Sequence, residues 1–219
     1  MNAEDVANYL QEHPEFFNAY ADVLALMTLP DPHTGRAISI TEKQILTMRD
    51  KVRALEAQLA DLMAFGREND AISDKVHALA VALIAATDEA SVVRVLYSHL
   101  GGAFAVPHVA LRLWSGVAED SSLFVSVKDP ACAAATTMQK PYCGTTEAQP
   151  ALAWFGDAAA QLRSMVQVPL RDAGGLCIGL LVMASEDAHR FYPELGTLYL
   201  ERIGDLASAA FGRILRVPA

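Results

Sequence analysis

Apolar residues recur at helical spacing along the first part of the chain. On either side of Pro14 they predict two short helices, because proline ends one helix and can open the next. The proline-rich stretch "LPDPHTG" at residues 29–35 then supplies the chemistry of a turn. We therefore expect a helical hairpin over residues 1–38, with residues 2–28 as its helical part.

From residue 45 the helical pattern becomes a seam with alternating steps of three and four residues, which is typical of a supercoiled helix. It predicts a coiled-coil helix over residues 39–68 that pairs in parallel with a second chain. Because the seam is short, a helix that packs on its own domain is the alternative. The predicted dimerisation residues are Ile45, Met48, Val52, Leu55, Leu59 and Leu62.

The seam shifts by one residue at Phe65 and Gly66. A shift of this kind changes the supercoil locally and often separates two packing partners. We therefore expect the first part of the helix to contact another chain and the second part to pack on a domain formed by residues 69–219. The shifted register contains Ile72, Val76, Leu79, Leu83 and Ala86.

Strand-like alternation begins after a further helix, which Thr87 or Asp88 caps and Gly101 and Gly102 end. "HVALRLW" at 108–114 alternates between two faces, and "SSLFVSV" predicts a weaker second strand. "SMVQVPL" and "GLCIGLLVMAS" flank a glycine-rich turn and predict a hairpin. A last amphipathic helix follows Tyr192 and Pro193.

This order of elements predicts an α+β fold, in which an antiparallel sheet carries the first and last of these helices on one face. Bulky side chains also occupy the second face, and residues 128–160 are left to cover it. Their stretch "KPYCGTTEAQPALAWFG" at 140–156 is too broken by proline and glycine for regular structure, yet too apolar for a free loop. We expect it to fold over the second face with Trp154 directed inward.

The second face offers a candidate ligand pocket. Arg112 shares a predicted strand face with Trp114, and a guanidinium beside an aromatic ring can hold a carboxylate or a planar ring; an edge-strand arginine or an internal ion pair is the alternative. Gln167 either presents its amide to the same cavity or faces solvent, and the aromatic side chains either stack on a ligand or fill the core. The candidate pocket comprises Arg112, Trp114, Tyr142, Cys143, Trp154, Phe155 and Gln167.

Composition restricts the class of partner. The 219 residues are 53% hydrophobic and 20% charged with a formal net charge of -9, which is typical of a globular protein and argues against binding to a phosphate backbone. The start of the chain lacks a signal-peptide pattern, and its apolar runs are too short to span a membrane. Three cysteines without metal-like spacing suit a reducing compartment. We expect a cytoplasmic protein with no membrane or nucleic-acid partner.

The chain resembles two known families, the first over its C-terminal part and the second over nearly its whole length. "VQVPL", a glycine turn, "IGLLVMAS" and the helix from "RFYPELG" onward resemble the end of GAF domains, the small-molecule sensor modules of bacterial signalling. "YLQEHPEFF", the heptad helix, "GRENDAISDKVHALA", "YCG" and "EDAHRFYPELGT" resemble the bacterial family known as domain of unknown function 484. That resemblance implies a GAF-like fold behind a helical N-terminus, no established reaction, and genes that tend to lie near a tyrosine recombinase gene.

An enzymatic GAF relative supplies one further alternative. "YCGTT" resembles the motif that carries a cysteine of the free methionine sulfoxide reductases, at Cys143, but residues 146–164 lack the attacking cysteine of that family. The six histidines show no metal or triad spacing, so we predict no metal site and no catalytic residues, and the cofactor is unknown. The leading hypothesis is a dimeric regulatory or adaptor module that senses a small molecule and contacts a partner protein through its hairpin. A scaffold with a filled pocket is the alternative.

Overall fold

The computed structural model describes residues 2–26, 28–30, 37–114 and 123–214, and their side chains at 2–23, 43–114 and 123–214. The chain divides into two compact units, Met1–Arg67 and Glu68–Ala219. The long helix α4, Ile40–Ala85, contributes to both units.

The first unit begins with three short helices, α1 (Ala3–Glu12), α2 (Phe16–Ala19) and α3 (Ala21–Leu26). Asn2 caps α1 by accepting a hydrogen bond from the Asp5 amide, and the Asp5 carboxylate accepts one from the Asn2 amide. α1 corresponds to the first predicted helix. The second predicted helix is interrupted at Tyr20 and forms α2 and α3. Two short antiparallel strands follow, β1 (Thr28–Pro30) and β2 (Ala37–Ser39). The first two residues of the predicted turn belong to β1, and the rest of that turn lies outside the described residues.

The second unit is built on a four-stranded antiparallel sheet. Its strands are β3 (His108–Leu113), β4 (Tyr142–Thr145), β5 (Ser164–Arg171) and β6 (Cys177–Ser185), in the order β3-β6-β5-β4. The predicted hairpin is confirmed as β5 and β6, which pair over their whole length. Because both are central strands and are covered on both faces, all nine residues of β6 are buried.

Helices cover one face of this sheet. α5 (Glu89–Ser98) is capped by Asp88 as predicted and continues into a π-helical turn, His99–Ala103. α7 (Leu198–Ile214) packs on β5. It approaches closely at Gly204, where an added Cβ would lie 2.6 Å from Val168 Cγ1. The C-terminal part of α4 belongs to the same core, in which its apolar side chains meet those of α5 and α7.

The middle of the second unit differs from the sequence-based expectation. α6 (Pro130–Thr137), the strand β4 and a 3-10 helix (Pro150–Gln161) replace the irregular segment, and Gly156 lies in the left-handed region with φ 54° inside that 3-10 helix. The predicted second strand at 121–127 is absent among its described residues. Instead, Phe124 forms an isolated parallel bridge with Leu113 at the end of β3. The predicted α+β fold class is nevertheless confirmed.

No helix among the described residues is both long and apolar enough to span a membrane.

Candidate functional site

The candidate site lies on the second face of the sheet, opposite the helices. Its floor is mostly apolar and consists of side chains from three strands, because residues of alternate parity point to the same face. The small side chains of Ala110 and Ala184 lie in this cluster beside longer ones. The buried floor residues are Ala110, Met165, Leu180, Val182 and Ala184.

The cover of this face comes from α6 and the 3-10 helix, which place buried alanines against the floor. Ala131, Ala135 and Ala151 are fully buried, and half-buried Trp154 and Phe155 pack against the same cluster. Because these helices bring small side chains to the sheet, the cover can approach it closely. The expectation that residues 128–160 cover the second face is confirmed, although they do so as helices rather than as an irregular segment.

Arg112 lies beneath the indole of Trp154. The guanidinium carbon lies 5.9 Å from the Trp154 ring centroid, and Nη1 donates a hydrogen bond of 2.8 Å to the Leu111 carbonyl. Trp154 in turn donates from Nε1 to Asp129 Oδ2 at 3.2 Å, while Asp129 Oδ1 caps α6 at the Ala131 amide. A cation over an aromatic face is attractive because of the ring quadrupole. These contacts hold Arg112 on the second face and orient the tryptophan toward it.

Trp114 follows the last residue of β3 and is also half-buried on this face. Its Nε1 donates a hydrogen bond of 2.8 Å to the carbonyl of Cys177, at the start of the neighbouring strand. The polar atom of the indole is therefore satisfied by the sheet itself, and the ring packs beside the floor.

Gln167 is the polar residue of the floor, and its side chain is fully buried. Nε2 donates to Gln149 Oε1 at 2.7 Å and approaches Met165 Sδ at 3.6 Å, whereas Oε1 has no hydrogen-bond partner among the described residues. Burial of an unpaired acceptor costs about 1–3 kcal/mol. Because the Gln167 side chain is fully buried, the alternative that it faces solvent is wrong.

Tyr142 and Cys143 are neighbours on β4 and point to opposite faces. The Tyr142 ring packs on the second face and its hydroxyl donates to the Thr145 carbonyl at 2.9 Å. Cys143 belongs to the core on the helix-covered face. The structure therefore brings six of the seven predicted pocket residues to one face and separates Cys143 from them, because adjacent residues of a strand cannot share a face.

Phe155 extends the site toward the start of β3. Its ring contacts the His108 imidazole edge to face, with the centroids 6.2 Å apart, and His108 Nε2 donates to Glu186 Oε1 at 2.7 Å. This hydrogen bond lowers the pKa of the Glu186 carboxyl from its ordinary value of 4.5. Because Glu186 is exposed, the pair forms the solvent-facing rim of the site.

The cysteine thiols are buried and unpaired. Burial raises the pKa of Cys143 and also that of Cys177. Burial together with the charge of Asp129 raises the pKa of Cys132 to about 11. The nucleophile in thiol chemistry is the thiolate, so these environments disfavour the reactive form. Among the described residues there is also no group of three or more acidic, histidine or cysteine side chains placed to hold a metal ion.

Two residues of the site were not anticipated from the sequence. Gln149 lies just before the 3-10 helix and pairs with Gln167, while Asp129 orients Trp154. The dipeptide Asp129-Pro130 is a helix-start signal that could have located α6 and its capping side chain. Nothing in the local pattern distinguishes Gln149 from its polar neighbours.

The predicted dimerisation residues lie in the first unit, along α4. All six are exposed, with between 48% and 69% of each residue accessible to solvent. They line one side of the helix without burial in this chain.

An antiparallel sheet with helices on one face and a helical cover on the other defines the class of this protein, which has the fold of a GAF domain. The crystal structure of the A. aeolicus nlh2 GAF domain in an inactive state matches it with a TM-score of 0.51 and 16% sequence identity, over 66% of this chain and 98% of that one. The family model described as "Protein of unknown function, DUF484" matches residues 1–215. The chain belongs to this family, so the predicted membership is confirmed.

Two further similarities accompany this match. "Uncharacterized protein YigA" of Salmonella typhimurium is 25% identical over 206 residues, which are 90% of this chain and 86% of that protein. The free methionine-R-sulfoxide reductase of Neisseria meningitidis, in complex with its substrate, matches with a TM-score of 0.49 and 22% identity, over 64% of this chain and 87% of that one. A structural likeness of that extent carries no information about activity.

Proposed function

We propose that this chain is a dimeric regulatory or adaptor module whose second sheet face binds a small molecule. The observation that carries the proposal is the fully buried amide of Gln167, whose oxygen has no partner among the described residues. If the amide oxygen and nitrogen of Gln167 were exchanged, one buried polar atom would still lack a partner, because the nitrogen would then be the unpaired atom. A ligand that supplies the missing hydrogen bond recovers the energy lost in that burial.

Arg112 defines the other chemical feature of the proposed ligand. It carries a positive charge over the Trp154 indole, so it favours a carboxylate, a phosphate or a planar anionic group. In the sheet register, Arg112 pairs with Leu180 and Gln167 pairs with Val182, so the two lie two strands and two residues apart. Their Cα atoms are therefore separated by about 12 Å. We propose a compact anionic or aromatic ligand with a hydrogen-bond donor at its opposite end.

The partner protein is proposed to contact α1–α3. Apolar and aromatic side chains of these helices are exposed, and no residue of α1 or α2 is buried. Exposed aromatic residues on short helices are common in protein interfaces. The exposed residues are Val6, Tyr9, Phe17, Tyr20 and Val23. We place the module in the cytoplasm, where three unpaired thiols remain reduced.

One observation favours a filled scaffold as the second candidate function. Aromatic rings and fully buried alanines already occupy much of the space between the sheet and its cover. In that case Tyr142, Trp154 and Phe155 act as core residues, and the unit serves only to position the partner-binding helices. The two functions differ in whether Gln167 contacts a ligand.

The test is the identification of small molecules that copurify with the full chain under native conditions, by extraction and mass spectrometry. Gln167→Met keeps the length of the side chain and removes both polar atoms, while Gln161→Met makes the same change at an exposed position. We expect a stoichiometric anionic or aromatic compound in the parent and in Gln161→Met, and its loss in Gln167→Met.

The scaffold function predicts a different result. No compound copurifies with any of the three proteins, and Gln167→Met is more stable than the parent because the unpaired oxygen is removed. That combination would contradict ligand binding. If a compound is found, it is added back to protein stripped of ligand. Hydrogen exchange of the backbone amides of residues 150–161 should then slow.

A further inference from the structure

We infer that the seam of α4 pairs with a second copy of this chain, in parallel and in register over residues 45–62, with Lys51 of one chain facing Glu56 of the other. This inference rests on the proposed dimer and adds its orientation, its register and the charged contact that selects them. The seam residues are Ile45, Met48, Val52, Leu55, Leu59 and Leu62, all exposed in the single chain.

The residue types at the seam favour two parallel strands. In heptad notation, a falls on 45, 52 and 59 and d falls on 48, 55 and 62. Two of the three a positions are β-branched, Ile45 and Val52, while two of the three d positions are leucine. β-branched residues at a with leucine at d favour parallel dimers over higher oligomers, because of the way each side chain enters the opposite helix.

The surface of α4 also carries a recess with the composition that such packing requires. A groove of about 460 Å³ is lined by Ile45, Met48, Arg49 and Val52, with Arg53 and Glu56 at its end. The first four are consecutive a, d, e and a positions, and a side chain from the facing helix inserts between four such residues. In a parallel, in-register pair the side chain that enters this recess is Met48 of the second copy.

Charges beside the seam complement one another in the same arrangement. In a parallel pair, each g position faces the e position five residues later on the other helix. Lys51 is a g position and Glu56 is the matching e position, and two-fold symmetry creates this attractive contact twice. The other facing pairs, Gln44 with Arg49 and Gln58 with Met63, contain no like charges.

The opposite orientation produces a different charged contact. An antiparallel pair with full overlap places position 45 opposite position 62, and e positions then face e positions. Arg49 would face Glu56 and Lys51 would face Gln58. The two orientations can therefore be distinguished by asking which basic residue Glu56 contacts.

The first experiment measures the dimer dissociation constant of the full chain by sedimentation. Lys51→Glu creates two repulsive contacts with Glu56, and we expect dimerisation to weaken by roughly 10-fold, as the sum of several small surface ion-pair effects. Lys51→Glu combined with Glu56→Lys restores both contacts and should return the constant to within about 3-fold of the parent. Lys43→Glu, at the outer f position, should leave it within the same limits.

The second experiment measures orientation without relying on charge. Leu62→Cys places thiols at the same d position of both helices, where a parallel in-register pair brings them together and oxidation joins the chains. In the antiparallel pair these thiols are 17 residues apart along the helix, about 25 Å, and no link forms. The parent chain, whose three cysteines are buried, is the control for linkage through native thiols.

The outcomes separate the inference from the proposed function. A monomeric full chain at tens of micromolar would contradict both. A dimer that is insensitive to Lys51→Glu and not linked through Leu62→Cys would overturn the parallel register while leaving a dimeric module. Loss of dimerisation in Lys51→Glu, rescue by Glu56→Lys and a linked dimer through Leu62→Cys would together support the inference.

Discussion

The two parts of α4 carry apolar side chains at the same helical spacing, yet their surroundings differ. In the first part, every seam residue from Ile45 to Leu62 is exposed, and in the second part Leu79 and Leu83 are almost completely buried. The second part packs with α5 and α7 in the core of the GAF-like unit. Spacing decides which side chains share a face of a helix, whereas the burial of that face depends on elements far away in the sequence.

An apolar stripe on a helix therefore does not show by itself what packs against it. The second part of α4 finds its contacts within the chain: the Tyr199 hydroxyl donates to the Asn69 carbonyl, and Arg213 donates to carbonyls near the end of the helix. The seam residues of the first part are exposed in the single chain. A stripe of this size that is left in water lowers solubility, which is why we expect another chain to cover it.

Removal of the first part should have the largest effect. A fragment that begins at Asn69 keeps α5, α7 and the sheet but lacks the seam, so we expect it to be a folded monomer under conditions in which the full chain is a dimer. Light scattering measures the mass, and both tryptophans of the chain, Trp114 and Trp154, report the fold of the GAF-like unit by fluorescence. A fragment that dimerises as tightly as the full chain would show that the seam of the first part of α4 is not the dimer interface.

Equal truncations in the two parts should have unequal effects on stability. Leu79→Ala removes a fully buried side chain and should lower the free energy of unfolding of the GAF-like unit by about 2–5 kcal/mol. Leu59→Ala makes the same change at the exposed seam and should alter it by less than about 0.5 kcal/mol. Urea denaturation of the dilute protein, followed by tryptophan fluorescence, measures both. Similar losses in the two variants would show that the seam is buried within one chain.

Arg213 tests how the second part of α4 is attached. Its guanidinium donates hydrogen bonds to the carbonyls of Leu83, Ile84 and Ala86. Arg213→Met keeps the aliphatic stem and leaves these carbonyls without a charged donor, so we expect a loss of about 2 kcal/mol in unfolding free energy. Arg202→Met, at an exposed position of the same helix, is the control and should cost less than half as much. Equal costs would mean that the hydrogen bonds contribute nothing specific.

The smallest effect is expected at Gly66, between the two parts. An added Cβ there meets no atom within 4 Å. Gly66→Ala should therefore stabilise the helix by about 0.5–1 kcal/mol, because alanine loses less backbone entropy than glycine. Thermal unfolding followed by circular dichroism measures the gain. Gly175→Ala provides a contrast of opposite sign, since Gly175 has equal space but a φ of 84° that alanine adopts only with strain.

Local signals were sufficient for some elements of the fold and insufficient for others. The β5–β6 hairpin and the cap of α5 were predicted because a glycine turn and an acidic N-cap act on their immediate neighbours. β4 was missed because it has only four residues, one of them Gly144, and its strand conformation is supported by pairing with β5. α6 was missed because its sequence, "PACAAATT", is mostly alanine and carries no stripe of large apolar side chains.

The candidate site was predictable where alternation along a strand determined the face. Arg112 and Trp114 are assigned to the second face in this way, whereas for Gln167 the alternation leaves both the cavity and the solvent open. The alternation of β4 separates Cys143 from Tyr142 once that strand is recognised. The full burial of Gln167 was not predictable, since it depends on the cover supplied by the 3-10 helix. Asp129 and Gln149 act across long stretches of sequence, and no local pattern reports such contacts.

The close approach of α7 to the sheet at Gly204 has a consequence for how this sequence can change over time. A methyl group there would overlap the buried side chain of Val168, which cannot move aside because it is itself 1% exposed. Random mutagenesis with selection for folding should therefore return glycine at position 204 far more often than at Gly212 on the same helix, where a side chain meets open space. The residue with no side chain is thus among the least replaceable positions of α7.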